Sequence, residues 1–391
     1  MPFAATRVAR RIASARSRAG MRSAVALVVL AGNLFAAPPT GGHRLILGTV
    51  AQTRQEVQQR EKEAGHRLTG MRVFRRWGES LFTADQQWAK KTGHVVFLSI
   101  KSRRTNGALI SWRDIASARP GSPLQKDMLR QAAQIKHFGA IVYVVFNHEP
   151  DAKTSRPMGT PADFIAAWRH LVGTYRAAGV RNARYVWTLT GPAFGANAGN
   201  GLTRADTYYP GDAYVDDIGA DTYNWNTCHS SSGVWQGPAE LLEPQRRFGL
   251  RHPGKGLMLL EWGTVEDGTR PGHKAQWMQN MTRLLATPAY RQYRAVLHWD
   301  DRFTHVMAGT TCDFDNRTSP DAQAAWRAMA TTPLFAARSA CDIGDCLAGR
   351  RRSRSPYVLV ATVAIAAVVA GLVTVGIRRR SARHAPARSA K

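Results

Sequence analysis

Acidic residues are scarce in this chain of 391: 27 Asp and Glu stand against 54 Lys and Arg, a formal net charge of +27 at pH 7. A surplus of that size points first to nucleic acid, until its location is counted. Residues 1–36 hold six arginines and no acid, and residues 350–391 hold ten Arg or Lys and no acid. The part between carries 38 bases against 27 acids. No basic strip interleaved with aromatics and no nucleic-acid motif accompanies that surplus, so nucleic acid is set aside as a partner while an anionic surface or polymer is not. Cysteine is scarce too. Cys228, Cys312, Cys341 and Cys346 include no C-x-x-C pair and match none of the common zinc modules, so no metal site is expected from them.

The two termini read as targeting segments. Arg7, Arg10, Arg11, Arg16, Arg18 and Arg22 precede an apolar run from Ala24 to Ala36, the charged and short hydrophobic regions of a secretory signal. Residues 1–37 are therefore expected to be a signal peptide, or an N-terminal anchor, since Leu34 is larger than the residue usual two places before a cleavage site. Tyr357 to Ile377 is free of charge, long enough at about 1.5 Å per residue to cross about 30 Å of hydrocarbon. Arg350-Arg351-Arg352 before it and Arg378-Arg379-Arg380 after it would be awkward inside a fold. The expectation is a juxtamembrane stalk over 336–355, a single transmembrane helix over 356–377 and a basic cytoplasmic tail over 378–391, with the preceding domain outside the cell. Cysteines paired as disulfides suit that compartment.

From about Arg44 to Ala330 short apolar runs alternate with amphipathic stretches, the pattern of β/α repeats. Eight strand candidates can be counted: Arg44 to Val50, Met71 to Trp77, Val95 to Ile100, Ala140 to Phe146, Tyr185 to Thr190, Tyr214 to Asp221, Leu257 to Trp262 and Ala295 to Trp299. Thr160-Pro161-Ala162-Asp163 and Ser319-Pro320-Asp321 offer helix starts, each with an N-cap hydroxyl, a proline at N1 and an acid in the first turn. Gly191 to Gly201, rich in Gly, Ala and Asn, reads as loop. The expected fold is an α/β (β/α)8 TIM barrel over residues 40–335, with an open doubly wound sheet as the alternative. Cys228 follows the sixth predicted strand and Cys312 the eighth, so both fall in rim loops that could meet, while Cys341 and Cys346 close a small loop.

Phe146-Asn147-His148-Glu149-Pro150 and Leu259-Leu260-Glu261-Trp262-Gly263 each place a glutamate where a buried apolar strand runs out into a loop. The carboxyl ends of barrel strands form the rim that carries chemistry. Cleavage of a glycosidic bond needs two carboxyl groups on opposite sides of it. A lone glutamate at such a place more often caps a helix or pairs with an arginine; the pairing weighs against that. Between the two lies Tyr208-Tyr209-Pro210-Gly211-Asp212-Ala213-Tyr214-Val215-Asp216-Asp217-Ile218-Gly219-Ala220-Asp221-Thr222-Tyr223-Asn224. Together the three strings resemble glycoside hydrolase family 26, the β-mannanases and their relatives, over roughly residues 44–331.

By strand count Glu149 ends strand four and Glu261 ends strand seven, and the resemblance assigns Glu149 as acid/base and Glu261 as nucleophile of a retaining mechanism. It implies that His148 helps hold the nucleophile and contacts sugar, and that the Tyr223 hydroxyl bonds to the nucleophile. Asp221 shares the side of Tyr223 by strand alternation and is expected to contact sugar or brace the site. Trp225, Trp262 and Trp299 fall at the rim, where flat aromatic surfaces suit the apolar faces of sugar rings. Arg75 or Arg76, near the end of strand two, is expected to reach the same cleft. After the acid the family pattern Met-Asn-Gly is replaced by Pro150-Asp151-Ala152, which bears on substrate class more than on reaction type. The resemblance implies a monomeric hydrolase of a β-linked, mannan-like polysaccharide that needs no cofactor. The rivals are a catalytically silent glycan-binding barrel and a transglycosylase using the same residues.

Overall fold

The computed structural model describes residues 43–195, 204–228, 232–303 and 312–346. The expected signal segment, transmembrane stretch and basic tail lie outside them, and no helix among the described residues is long and apolar enough to cross a membrane. Eight parallel strands close into a barrel in chain order: β1 (Ile46–Val50), β2 (Gly70–Trp77), β3 (Val95–Arg104), β4 (Val142–Phe146), β5 (Ala183–Thr190), β6 (Asp217–Asn224), β7 (Gly256–Thr264) and β8 (Tyr293–His298). Closure comes from β1 pairing with β8, Ile46 opposite Ala295 through Thr49 opposite His298.

The strands are apolar on both faces because both faces are covered. Met71, Val73, Val96, Leu98, Val142, Val144, Ile218 and Ala220 point outward into the helix layer. Phe97, Tyr143, Val145, Val186, Met258 and Leu297 fill the barrel. Each such side chain contributes about 1.5–3 kcal/mol when fully buried. Leu297 leaves no room beside it for a Cβ at Gly48, which would lie 2.3 Å from the leucine methyl and 2.6 Å from the Gly70 carbonyl oxygen. The two expected helix starts form as their chemistry dictates. Thr160 Oγ1 accepts from Asp163 N ahead of helix Pro161–Ala177, and Ser319 Oγ accepts from Ala322 N ahead of helix Pro320–Thr331. The fifth unit departs from the repeat, with a short 3-10 turn at Gly191–Phe194 and a five-residue helix at Arg204–Tyr208.

Two strands differ from their apolar signatures in ways that matter at the rim. β3 continues four residues beyond Ile100 to Arg104, and β6 begins and ends three residues later than its pattern suggests, so Tyr223 lies within the strand. In β7 a bulge intervenes. Ala220 pairs with Leu259 but Asp221 pairs with Glu261, leaving Leu260 as an extra residue. Leu260 packs inside the barrel, and strict alternation would then turn Glu261 outward. The bulge resets the phase, so Glu261 points into the barrel mouth and Trp262 points out.

Residues 336–346, expected to be a stalk, instead pack under the barrel. Ala337 and Ala340 join the interior cluster. Cys341 and Cys346 form a disulfide around Asp345, whose carboxylate accepts from Tyr143 Oη at 2.6 Å and pairs with Arg184 at 2.9 Å and Arg294 at 3.1 Å. Arg184 also pairs with Asp217 at 2.9 Å. Buried charges demand partners of this kind, and removal of one partner leaves the others uncompensated, at a cost of about 3–5 kcal/mol. A chain ended at residue 335 should accordingly unfold at markedly lower urea than one ended at 346. Equal midpoints would show that the segment is a passive tail.

Candidate active site

The carboxyl end of the barrel brings the expected carboxylates together. Glu149, Asp221 and Glu261 present oxygens that all lie within 4.8 Å of one another. Glu261 is held from two sides: Tyr223 Oη donates to Oε2 at 2.6 Å, and Arg72 Nη1 lies 2.9 Å from Oε1. The same guanidinium forks onto Asp221, at 2.9 Å and 3.4 Å, and its Nε donates to Ser99 Oγ at 3.3 Å. Arg72 is fully buried. Asp221 is thus a brace for Arg72, shut away from any substrate. Three carboxylates at this spacing are also the donor set of a divalent cation, but Arg72 already engages two of them, so the residues do not fit a metal.

Glu149 is positioned by backbone rather than by a side-chain donor. Asn147 and Glu149 adopt φ of 42° and 50°, the left-handed region that costs a side-chain-bearing residue of order 1–3 kcal/mol. Pro150 denies Glu149 the right-handed helical alternative. The conformation is pinned: Asn147 N donates to Ile100 O at 2.8 Å, Asn147 Oδ1 accepts from Ser102 N at 3.1 Å, and Glu149 N donates to Thr188 O at 3.1 Å. Asp151 anchors the next turn, accepting from Thr190 N at 3.1 Å and Thr190 Oγ1 at 2.5 Å. Of the three residues that depart from the family pattern here, Asp151 is the one that ties the loop to β5. Burial pushes the Glu149 carboxyl up to about 8, helped by the negative charges of Glu261 and Asp151 and opposed by Arg72 and Lys101. Burial also pushes Asp221 up, but that group has Arg72 as a bidentate partner. Among the described residues no hydrogen bond reaches the Glu149 carboxyl, so it is the member of the trio that keeps a proton.

His148 is buried, and desolvation together with Lys101 and Arg72 holds its pKa well below the usual range, so the imidazole is neutral. Its ring packs 5.0 Å from Phe74. It makes no hydrogen bond to Glu261 among the described residues, and the support expected of it comes from Arg72. Trp262 is fully buried against Trp277, His298 and Trp326, in the helix layer rather than at the cleft, because the bulge that turns Glu261 inward turns its neighbour outward. Trp225 and Trp299 are half-buried at the mouth, around Tyr223 and Phe314. Neither expected β2 arginine enters the cleft: Arg75 donates to Gln86 at 2.7 Å and Arg76 to the Thr105 carbonyl at 2.9 Å. Arg72, Phe74, Ser99 and Lys101 are the mouth residues that sequence reasoning missed. A lone arginine inside Gly70-Met71-Arg72-Val73-Phe74 was the available signal.

The Cys228–Cys312 disulfide forms at the rim, joining the loop after β6 to the short strand Cys312–Asp313, whose partner is Arg302–Phe303. It packs with Tyr223, Val265 and Phe314.

No family model matches the chain. Endoglucanase H of Acetivibrio thermocellus is 28% identical over 205 residues, which is 51% of this chain and only 21% of that enzyme. Among solved structures, the catalytic domain of a family 26 endo-β-1,4-mannanase from Bacillus sp. JAMB-750 superposes with a TM-score of 0.54 at 15% identity, covering 76% of this chain and 88% of that one. A family 26 β-mannanase from Bacteroides ovatus gives 0.53 at 15% identity, covering 80% and 94%. The barrel has the glycoside hydrolase family 26 fold. Within that fold, Glu149 lies in the loop three residues beyond the fourth strand, and Glu261 lies inside the seventh, three residues before its end.

The proton on Glu149 has a thermodynamic signature. Its pKa rises from 4.5 to about 8 in the folded protein, so the folded state retains a proton that the unfolded chain releases. That stabilisation is fully present below about pH 4.5 and is lost as pH rises through about 8. Urea unfolding of the parent and of Glu149→Gln should diverge over that window, the variant gaining on the order of 2 kcal/mol relative to the parent after discounting for partial solvent contact. A difference independent of pH would place the proton elsewhere.

Proposed function

We propose that this chain is a retaining glycoside hydrolase of the family 26 type, acting on a β-linked, mannan-like polysaccharide. One observation carries the reading: carboxyl oxygens of Glu149 and Glu261 lie within 4.8 Å of each other. Retaining glycosidases hold their pair about 5–5.5 Å apart, whereas inverting ones need about 6.5–9.5 Å for a water. Glu261 attacks the anomeric carbon as Glu149 passes its proton to the departing glycosidic oxygen, giving a glycosyl ester on Glu261 and a carboxylate at 149. That carboxylate then takes a proton from the water that hydrolyses the ester, restoring both groups. Tyr223 and Arg72 aim the nucleophile, and Phe74, Trp225 and Trp299 offer apolar surface to sugar rings. The mannanases and the endoglucanase among the similar proteins support a β-glycan substrate.

The two glutamates should fail differently. An aryl glycoside with an acidic leaving group needs little protonation, so Glu149→Gln should lose roughly 10²–10⁴ in rate on polysaccharide yet still form the glycosyl-enzyme from the aryl substrate. Glu261→Gln should be inactive on both. Wild-type rates in both variants would refute the pair, and a parent that cleaves nothing in a β-glycan panel would favour a binding protein.

The enzyme is further proposed to work outside the cell, tethered by the charge-free stretch Tyr357 to Ile377 behind an exported N-terminus. Protease added to intact cells should digest the barrel and spare a small C-terminal fragment. A fully protected barrel would overturn this topology.

A further inference from the structure

β3 outruns its apolar pattern, and the extension places a cation in the catalytic mouth. Ser99 faces the interior, where it accepts from Arg72 Nε, so Lys101, two residues further toward the rim, faces the same way. Burial lowers its pKa, the carboxyl groups of Glu149 and Glu261 act to raise it, and Arg72 and Arg103 act to lower it. Lys101 is half-buried and has no hydrogen-bond or ion-pair partner among the described residues. Glu261 is already engaged by Arg72 and Tyr223.

The surrounding sector is basic as well. Lys101 lies opposite Arg76 in register, and Arg103 follows on the same strand. The Arg76 side chain donates to the Thr105 carbonyl and that of Arg103 to the Gly107 carbonyl, so neither charge is paired among the described residues. A sugar bound across Glu149 and Glu261 strips water from the Lys101 ammonium. Sugar hydroxyls can accept from that ammonium, but a carboxylate on the substrate returns more of the desolvation cost, because a hydrogen bond between two charged groups is the stronger one.

We infer that Lys101 is a specificity-determining residue that holds a carboxylate on the substrate next to the scissile bond, so that the preferred polymer is an acidic β-glycan. The inference rests on the hydrolase reading and deepens it. The carboxylate is either the C6 group of a uronic acid or a pendant acid ester, and both present the same anion to the ammonium. It also gives a role to the basic surplus that remains in the barrel domain once the terminal arginines are set aside.

The test uses β-mannan and β-glucan in three forms each: unmodified, oxidised at C6 to carboxylate, and O-succinylated. The parent should favour one carboxylated form over the neutral polymer by roughly 10- to 100-fold in kcat/KM, and which form it favours identifies the source of the anion. Lys101→Met should collapse that ratio toward one, chiefly through KM on the carboxylated polymer, and Lys101→Arg should restore most of it. A parent that cleaves neutral polymer as well as or better than the carboxylated forms overturns the inference and leaves the hydrolase reading standing. So does a Lys101→Met variant that keeps the ratio and shifts only the basic limb of the pH profile, which would make Lys101 a tuner of Glu149. A parent that cleaves none of the six polymers removes both readings.

Discussion

The guanidinium of Arg72 is the contact on which the mouth of this barrel depends. It lies fully buried between Asp221 and Glu261, 2.9 Å from an oxygen of each. Three carboxyl groups packed within 4.8 Å could not share a desolvated site without it, since like charges at that spacing drive protons onto one another. With Arg72 present the trio divides its labour. Asp221 and Glu261 keep an ionic partner, and Glu149 keeps a proton. One arginine thereby fixes the aim of Glu261 and leaves Glu149 as the neutral acid, the division that the proposed double displacement would use. A buried triad of this kind is costly to desolvate and is weak evidence for stability; its value lies in aim and protonation.

The backbone contributes as much as the side chains. Glu261 reaches the mouth because an extra residue at Leu260 resets the inward and outward alternation of β7. Glu149 reaches it through a left-handed turn held by the ends of β3 and β5. Both are local irregularities in otherwise regular strands, and both are paid for by the apolar barrel beneath. Strain of this sort persists only where the surroundings over-determine it.

The two ends of the barrel use charge for different purposes. At the floor, Asp345 closes a network with Tyr143, Arg184 and Arg294, held by the disulfide loop from Cys341 to Cys346, and each carboxylate there has a cationic partner. At the mouth, carboxylates are crowded, one cation is shared between two of them, and Lys101 is left without a partner among the described residues. Full pairing suits a structural seal. Incomplete pairing suits a place where a substrate must enter.

Much of this was legible in the amino-acid sequence. Continuous apolar runs with glutamates at their ends marked the strands and the pair Glu149 and Glu261, because parallel strands covered on both faces are mostly apolar until they emerge. Thr160 and Ser319 announced their helices, and the positions of Cys228 and Cys312 beyond predicted strands announced a rim disulfide. Tertiary structure decided the rest. A bulge has no compositional mark, so whether Glu261 or Trp262 faced the cleft could not be read from alternation. A buried arginine resembles an exposed one until its partners are placed around it, so nothing in the sequence sets Arg72 above Arg75 and Arg76. Residues 336–346 read as a linker because Ile343 is their only large apolar side chain, and only the barrel floor, with two arginines awaiting Asp345, makes them part of the fold. Local pattern determines which residues are strands; what each strand end faces is set by seven other strands, and that information is distributed over the whole chain.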